Sequence, residues 1–493
     1  MSVDSTELRK STLQRKDREE LTAIATALGA KPSSRARKAE IVDLILETVS
    51  DGSEEATEDQ GDEHDTEAEP TDVEEPEAAE TPSKNGDDGG TDQKAGDQPE
   101  VGNRRRRRRG RGGDRDSSSD TWDGEPIPVQ GFLDLRDEGY GFLRTNGWVP
   151  SKDDAYVPVK MVRQLGLRRG DELTGASRPA NQNEKNPAIL TIDTVNGTDP
   201  AKSSDRPGFD SLTPVLPTSQ LVQEVADDPA AMTARVIDIV APVGRGQRGL
   251  VIGPARADGL AVLKAMARSI EANDPDVHII VLLIDERPED VIDMKRHLSG
   301  GEVQASTFDR PADEHVLVAE MTIERAKRMV EFGADVCVLM NGVTRLARSY
   351  DVVAPSSGRN AAPTPVDNWA IYQTKKFLGA ARNLEEGGSL TVIGTAISEG
   401  SATDQAILDG LADTAGSVLY LDGLAAVRGI EPPVDVVASR TRHLDSLLDD
   451  AELGHNAGIR RALADLGDAG LDALLVQLAA VSNNAGLDPA KLG

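Results

Sequence analysis

The sequence predicts a multidomain chain in which a small helical module and an all-β barrel precede an α/β domain built on a parallel sheet. Three observations carry this. Between residues 125 and 200, short β-like runs alternate with turns. From about residue 235, continuous apolar runs alternate with helical stretches. Between the first module and the barrel lies a long segment with almost no apolar side chains.

In residues 1–50, Leu21, Ile24 and Leu28 fall at helical spacing, and Ile41, Leu44 and Ile45 repeat the pattern after a Pro32-Ser33-Ser34 break. Two short helices of this size form an accessory module. Residues 51–121 are rich in Glu, Asp, Gly, Pro and Thr. Such a segment cannot bury enough surface to offset its chain entropy and is expected to stay disordered. It also holds most of the charge. Of the chain's net charge of -30, residues 51–100 supply -18 through 20 Asp or Glu against two Lys. The overall acidity therefore says little about the folded parts. Arg104 to Arg109, Arg111 and Arg115 follow at once. Consecutive arginines can dock on phosphates through counterion release; the alternative is a solvated linker whose acidic and basic halves pair with each other.

In residues 122–205 the runs Val129–Leu135, Tyr140–Arg144, Ala155–Val159, Glu172–Ala176 and Ala188–Val195 make five short strands in about seventy residues, which suggests an OB-type or cold-shock-like barrel. In residues 206–493 the runs Gly249–Gly253, Val277–Ile284, Asp335–Met340 and Ser389–Thr395 alternate with helical stretches, as in a parallel sheet covered on both faces. Cys337 lies in the apolar run Val336–Met340 and reads as a buried strand residue. As the only cysteine it excludes internal disulfides and cysteine-rich metal sites. No run of apolar residues is long enough for a membrane helix, and no signal-peptide pattern opens the chain. A cytoplasmic protein with no membrane partner is expected.

The chemistry-bearing residues fall in two places. The run Gly139-Tyr140-Gly141-Phe142-Leu143-Arg144 puts two aromatics at i and i+2, hence on one face of a strand, with Arg144 able to reach a phosphate or stack on a base. Tyr156 follows on the next strand-like run, beside Asp153 and Asp154. Exposed aromatics with a cation are how such barrels hold single-stranded RNA. The competing reading packs Tyr140 and Phe142 into the barrel core.

These residues resemble a family. Gly139–Arg144, Asp154-Ala155-Tyr156-Val157 and Gly166-Leu167-Arg168-Arg169-Gly170-Asp171 are similar to the RNA-binding barrel of the Rho transcription termination factors. The resemblance continues through Arg206-Pro207-Gly208-Phe209-Asp210, Ala241–Leu250, Leu283–Glu289, Ala305–Asp309, Thr344-Arg345-Leu346-Ala347-Arg348 and Gly379–Ser389. It implies a RecA-like P-loop ATPase-type domain after the barrel, and a helical leading module. It also implies a hexameric ring, as a homo-oligomer or mixed with another Rho, in which ATP hydrolysis pulls RNA through the centre. RNA polymerase is then a further candidate partner.

Checked against that expectation, the nucleotide site is degenerate. The glycine-rich stretch Gly244, Arg245, Gly246, Gln247, Arg248, Gly249 precedes its strand as the resemblance implies, and these residues enter the candidate nucleotide site. The phosphate loop should then read approximately Lys-Ala-Gly-Lys-Thr, but the chain has Arg256-Ala257-Asp258-Gly259-Leu260. Gly259 stands for the phosphate-binding lysine and Leu260 for the magnesium-binding hydroxyl. Asp258 replaces a glycine and adds negative charge where phosphates would sit. Glu286, the carboxylate expected to activate water, is retained and followed by Arg287. Asn341 replaces the aspartate that would hold magnesium. The arginine-finger position, counted from Asp435, lands on Ala438, with Arg440 nearby. In the loops expected to grip RNA, Gly358–Pro365 carries prolines, and Ala402 in Ser398–Asp404 replaces a lysine.

Three functional readings follow. The favoured one is a Rho-like RNA-binding protein without ATP hydrolysis, needing no metal or cofactor. The second is a working RNA-dependent ATPase using ATP and Mg2+, in which Arg256, Lys264 or Arg287 substitutes for the lysine. The third is an assembly protein that uses only the ring interface.

Overall fold

A computed structural model describes residues 21, 41, 124–181, 184–226, 228, 231–355 and 365–492. The predicted N-terminal module, the acidic and Arg-rich linker and most of the loop Gly358–Pro365 lie outside the described residues. Within the module, Leu21 and Ile41 are helical and buried.

The five predicted barrel strands form. They are β1 (Ile127–Leu135), β2 (Gly141–Arg144), β3 (Ala155–Val157), β4 (Glu172–Arg178) and β5 (Ala188–Val195), closed in the order β1-β2-β3-β5-β4. A short helix, α1 (Val159–Gln164), joins β3 to the turn before β4. Alternation along each strand sends Leu133, Leu143, Ala155, Val157, Leu173, Ile189 and Val195 inward, where they form the barrel core.

Beyond the barrel the chain builds a nine-stranded sheet. Its parallel part runs β13 (Ser417–Tyr420), β7 (Arg248–Gly253), β12 (Ser389–Ile397), β10 (Asp335–Asn341), β8 (His278–Glu286) and β9 (Glu302–Thr307). The antiparallel β14 (Arg440–Thr441) closes one edge, and β11 (Arg382–Leu384) and β6 (Pro214–Val215) add a side ribbon on β12. The continuous apolar runs are explained by cover on both faces. One face packs under α2 (Met232–Val240), α3 (Gly259–Asn273), α10 (Asp450–Leu466) and α11 (Gly470–Ala480). The other packs under α5 (Ala312–Glu331), α6 (Val343–Val353) and α7 (Asn368–Leu378). Three further helices matter below: α4 (Pro288–His297), α8 (Ala402–Leu411) and α9 (Gly423–Val427). Cys337 is fully buried in β10, and burial pushes its thiol up to about 12.

Several of the most distinctive sequence motifs turn out to join the barrel to the α/β domain. Buried Arg206 holds Asp171 of the barrel at 2.7 Å and Glu331 of α5 at 2.9 Å. Arg168 reaches the same Glu331 at 2.8 Å, and Arg325 pairs with Glu172 at 2.8 Å. Gly170 is a glycine by necessity: its φ of +86° lies in the left-handed region that side chains rarely adopt, and an added Cβ would meet the Arg325 backbone nitrogen at 2.6 Å.

Candidate functional site

A cavity of about 400 Å³ opens at the carboxyl-terminal ends of the parallel strands, where α/β sheets place their ligands. Its walls include Asp258, Gly259 and Leu260 from the loop after β7, Glu286 and Arg287 after β8, Asn341 and Gly342 after β10, and Thr395 in β12.

The loop after β7 enters α3 through Asp258, which adopts the left-handed conformation at φ 45° and caps the helix by accepting from the Ala261 amide at 3.1 Å. The carboxylate therefore takes the helix N-terminus that a phosphate would otherwise use. Gly259 puts no lysine at this point of the loop, and a Cβ there would stand 3.0 Å from the Thr395 methyl. Leu260 is buried in the apolar core as well as lining the cavity, and supplies no hydroxyl.

Across the cavity Glu286, Asn341, Arg345 and Thr395 form one closed network. The Asn341 Nδ2 donates to Glu286 Oε1 at 2.6 Å, and the Arg345 guanidinium pairs with the same oxygen. Thr395 Oγ1 donates to the Asn341 side-chain Oδ1 and accepts from the Gly342 amide at 3.0 Å. Arg345 also donates to the Asp285 carbonyl at 3.0 Å. Asp285 sits at φ 57° where the β8–β9 register shifts, and this kink turns Glu286 into the network. Burial holds the Glu286 carboxyl above the usual carboxylate range, against the pull of Arg345.

The donor set does not fit a magnesium–nucleotide complex. The one buried carboxylate is taken by a guanidinium, and the position opposite it is a neutral amide already hydrogen-bonded on both ends. Among the cations around the cavity, Lys264 pairs with Asp293 and Arg345 with Glu286. Lys264 borders the cavity. Arg287 is exposed and makes no ion pair among the described residues.

Several predicted nucleotide-binding residues lie elsewhere. Gly244 to Gly249 lead into β7 from the opposite edge of the sheet, since the strand's six residues carry the chain roughly 17–20 Å to the cavity. There Arg245 pairs with Asp274 and Asp335, while Gly246, Gln247 and Arg248 line a second cavity. Arg256 turns away to Glu399 at 2.7 Å and the Gly423 carbonyl at 3.3 Å, and Ala257 is buried in the core. Ala438 carries no charge, and Asp435 serves instead to cap the turn through the Val437 and Ala438 amides. Arg440 lies exposed on β14 over the Tyr420 ring. Ala402 opens α8 at an exposed position. Arg345 and Thr395 were missed as site residues; the signal was the Thr344-Arg345 pair, which the sequence showed without giving it a task.

On the barrel, Tyr140, Phe142 and Tyr156 gather into one half-exposed cluster, with ring centroids 5.7 to 6.0 Å apart. They stand outside the barrel core, which removes the core-packing alternative. Arg144 and Asp154 are corrections. Arg144 does not reach outward: it is buried between Asp134 and Asp154, pairing with the latter at 2.6 Å. Asp154, also buried, accepts from the Ser151 amide and hydroxyl at 2.7 and 2.8 Å. Both hold the β2–β3 connection that carries the aromatics. Arg144 keeps one link to the face, its guanidinium 5.7 Å from the Phe142 ring centre.

Comparison with known proteins agrees with this architecture. Residues 129–201 match the model of the Rho termination factor RNA-binding domain. Residues 233–441 match the nucleotide-binding domain of the ATP synthase alpha/beta family. Transcription termination factor Rho of Streptomyces lividans is 45% identical over 364 residues, 73% of this chain and 51% of that protein. The Cereibacter sphaeroides Rho is 42% identical, over 74% of this chain and 87% of its own length. For the Bacillus subtilis Rho the figures are 42%, 69% and 79%. The chain thus spans about half of the Streptomyces protein and most of the other two.

Proposed function

The chain belongs to the transcription termination factor Rho family, and from that premise we propose that it binds single-stranded RNA through its barrel without hydrolysing ATP or translocating. It acts in the cytoplasm, as a homohexameric ring or in a mixed ring with another Rho. There it modulates termination by holding RNA or an active Rho away from RNA polymerase.

The observation that carries the reading is the closed Glu286–Asn341–Thr395 network with Arg345 on the carboxylate. A carboxylate meant to activate water beside magnesium needs a second hard oxygen ligand and room for the metal. Here an amide and a guanidinium fill that place. Asp258, Gly259 and Leu260 support the same reading from the other wall. For RNA, support comes from the half-exposed aromatic triangle, a surface on which bases stack.

One observation favours the alternative of an active RNA-dependent ATPase. Arg287 lines the cavity with its charge unspent among the described residues, and could meet a phosphate from the β8 side. A termination assay in vitro tests the proposal as a whole. Added to an active Rho, this chain should change readthrough at a Rho-dependent terminator, and should cause no termination alone. Termination by this chain alone would favour the alternative, and unchanged readthrough would remove the modulating role.

A further inference from the structure

The second cavity, about 390 Å³, lies at the amino-terminal edge of the parallel sheet, the end opposite the degenerate nucleotide pocket. Its size falls in the range of small-molecule sites, roughly 300–1,000 Å³. It is bordered by Arg248 at the start of β7, Arg382 at the start of β11, and Arg442 and His443 just after β14; Asp413 is the one carboxylate in its lining.

Arg248 is half-buried, and two backbone carbonyls fix its guanidinium: Nε donates to Thr414 at 2.8 Å and one terminal nitrogen to Ala381 at 2.9 Å. Its other terminal nitrogen has no hydrogen-bond acceptor, and no carboxylate lies within ion-pair distance, among the described residues. Arg382 sits over the Phe209 ring, its guanidinium 4.7 Å from the ring centre, and its one ion pair among the described residues is with the exposed Asp210 at 4.0 Å. Arg442 is exposed and its side chain makes no ion pair among the described residues. Burial and the neighbouring Arg382 charge push Arg248 below the ordinary arginine range. Three guanidiniums thus border one cavity in whose lining Asp413 is the one carboxylate. His443, at φ 56°, adds a residue held in a conformation costly outside glycine, of the kind that gathers at ligand sites.

We propose that this cavity binds the phosphate groups of a nucleotide-sized anion, with Arg248, Arg382 and Arg442 as its ligands. A planar guanidinium offers paired donors that match phosphate oxygens, and Arg248 is already oriented by its carbonyl partners. The site is independent of the degenerate pocket: it shares no residue with it and stands whether or not that pocket turns over ATP.

The test is calorimetric titration of the full chain with inorganic pyrophosphate, with ADP and with a short cytidine-rich RNA. It compares the wild type with Arg442→Glu, whose exposed side chain makes no hydrogen bond or ion pair among the described residues, and with Arg382→Ala. Pyrophosphate or ADP binding weakened about tenfold or more by Arg442→Glu supports a free phosphate ligand. RNA affinity falling by that factor, with no heat from pyrophosphate, supports the same chemistry drawn from an RNA backbone. Three results overturn the proposal: no response in any arm, binding indifferent to both substitutions, or binding lost in Arg287→Ala instead.

Discussion

The Asn341 side-chain amide donates to the Glu286 carboxylate at 2.6 Å, inside a cavity where the Rho family is expected to place two acidic groups around magnesium. An aspartate at 341 would bring a second carboxylate against the first at that distance, with both buried. Like charges so close favour taking up a proton. Asn341→Asp should therefore lower stability by about 1–3 kcal/mol at pH 8 in EDTA, with much of the loss recovered at pH 5. Urea denaturation at the two pH values measures this, and a variant as stable as the wild type at pH 8 would contradict the network as described.

The barrel face separates two effects that the sequence ran together. Tyr140→Ala and Tyr156→Ala should each weaken binding of a short single-stranded RNA by roughly 1–3 kcal/mol while leaving the melting temperature near that of the wild type. Arg144→Ala should do the opposite. It takes the shared guanidinium from Asp134, which keeps Arg169 at 3.2 Å, and from Asp154, which keeps Ser151, and should cost about 1.5–3 kcal/mol of stability. Anisotropy titrations and thermal melts on the same samples distinguish the two classes.

Arg206 ties the barrel to the α/β domain through two buried carboxylates, Asp171 and Glu331. Its removal should destabilise the chain by about 3 kcal/mol or more, and Arg206→Lys should rescue little, since an ammonium lacks the fork that spans both partners. Denaturant titrations followed through limited proteolysis of the barrel check it.

His315 is buried in α5 beside the Ser306 hydroxyl, 2.8 Å away, and burial lowers its proton affinity. The unfolded chain therefore takes the proton first as pH falls. The contribution of neutral His315 is complete above about pH 6.5 and is lost as pH drops below it. His315→Gln should flatten the stability profile between about pH 7 and pH 5, as chemical denaturation across that range would reveal.

Much of the fold was legible because both of its periodicities were clean. Alternation gave the barrel strands to within a few residues, and unbroken apolar runs gave β7, β8, β10 and β12. The loss of Gly-Lys-Thr at Asp258, Gly259 and Leu260 could be read directly, because a phosphate loop is contiguous in sequence. What could not be read was direction. Arg144 and Asp154 sit beside exposed aromatics, yet the strand turns them into the barrel wall, where they satisfy each other. Gly244–Gly249 flank the same strand as the phosphate loop but at its other end, which places Arg248 in a different cavity. The Glu286–Asn341–Thr395 contacts join positions 54 and 55 residues apart, so nothing local announced them.

The most direct test of the proposed absence of ATP hydrolysis is phosphate release by the purified full chain from ATP and Mg2+, with and without cytidine-rich RNA. A network closed by Asn341 and Arg345 predicts no release above background in either condition. RNA-stimulated turnover would contradict it, and would point to Arg287 as the cation serving in place of the missing lysine.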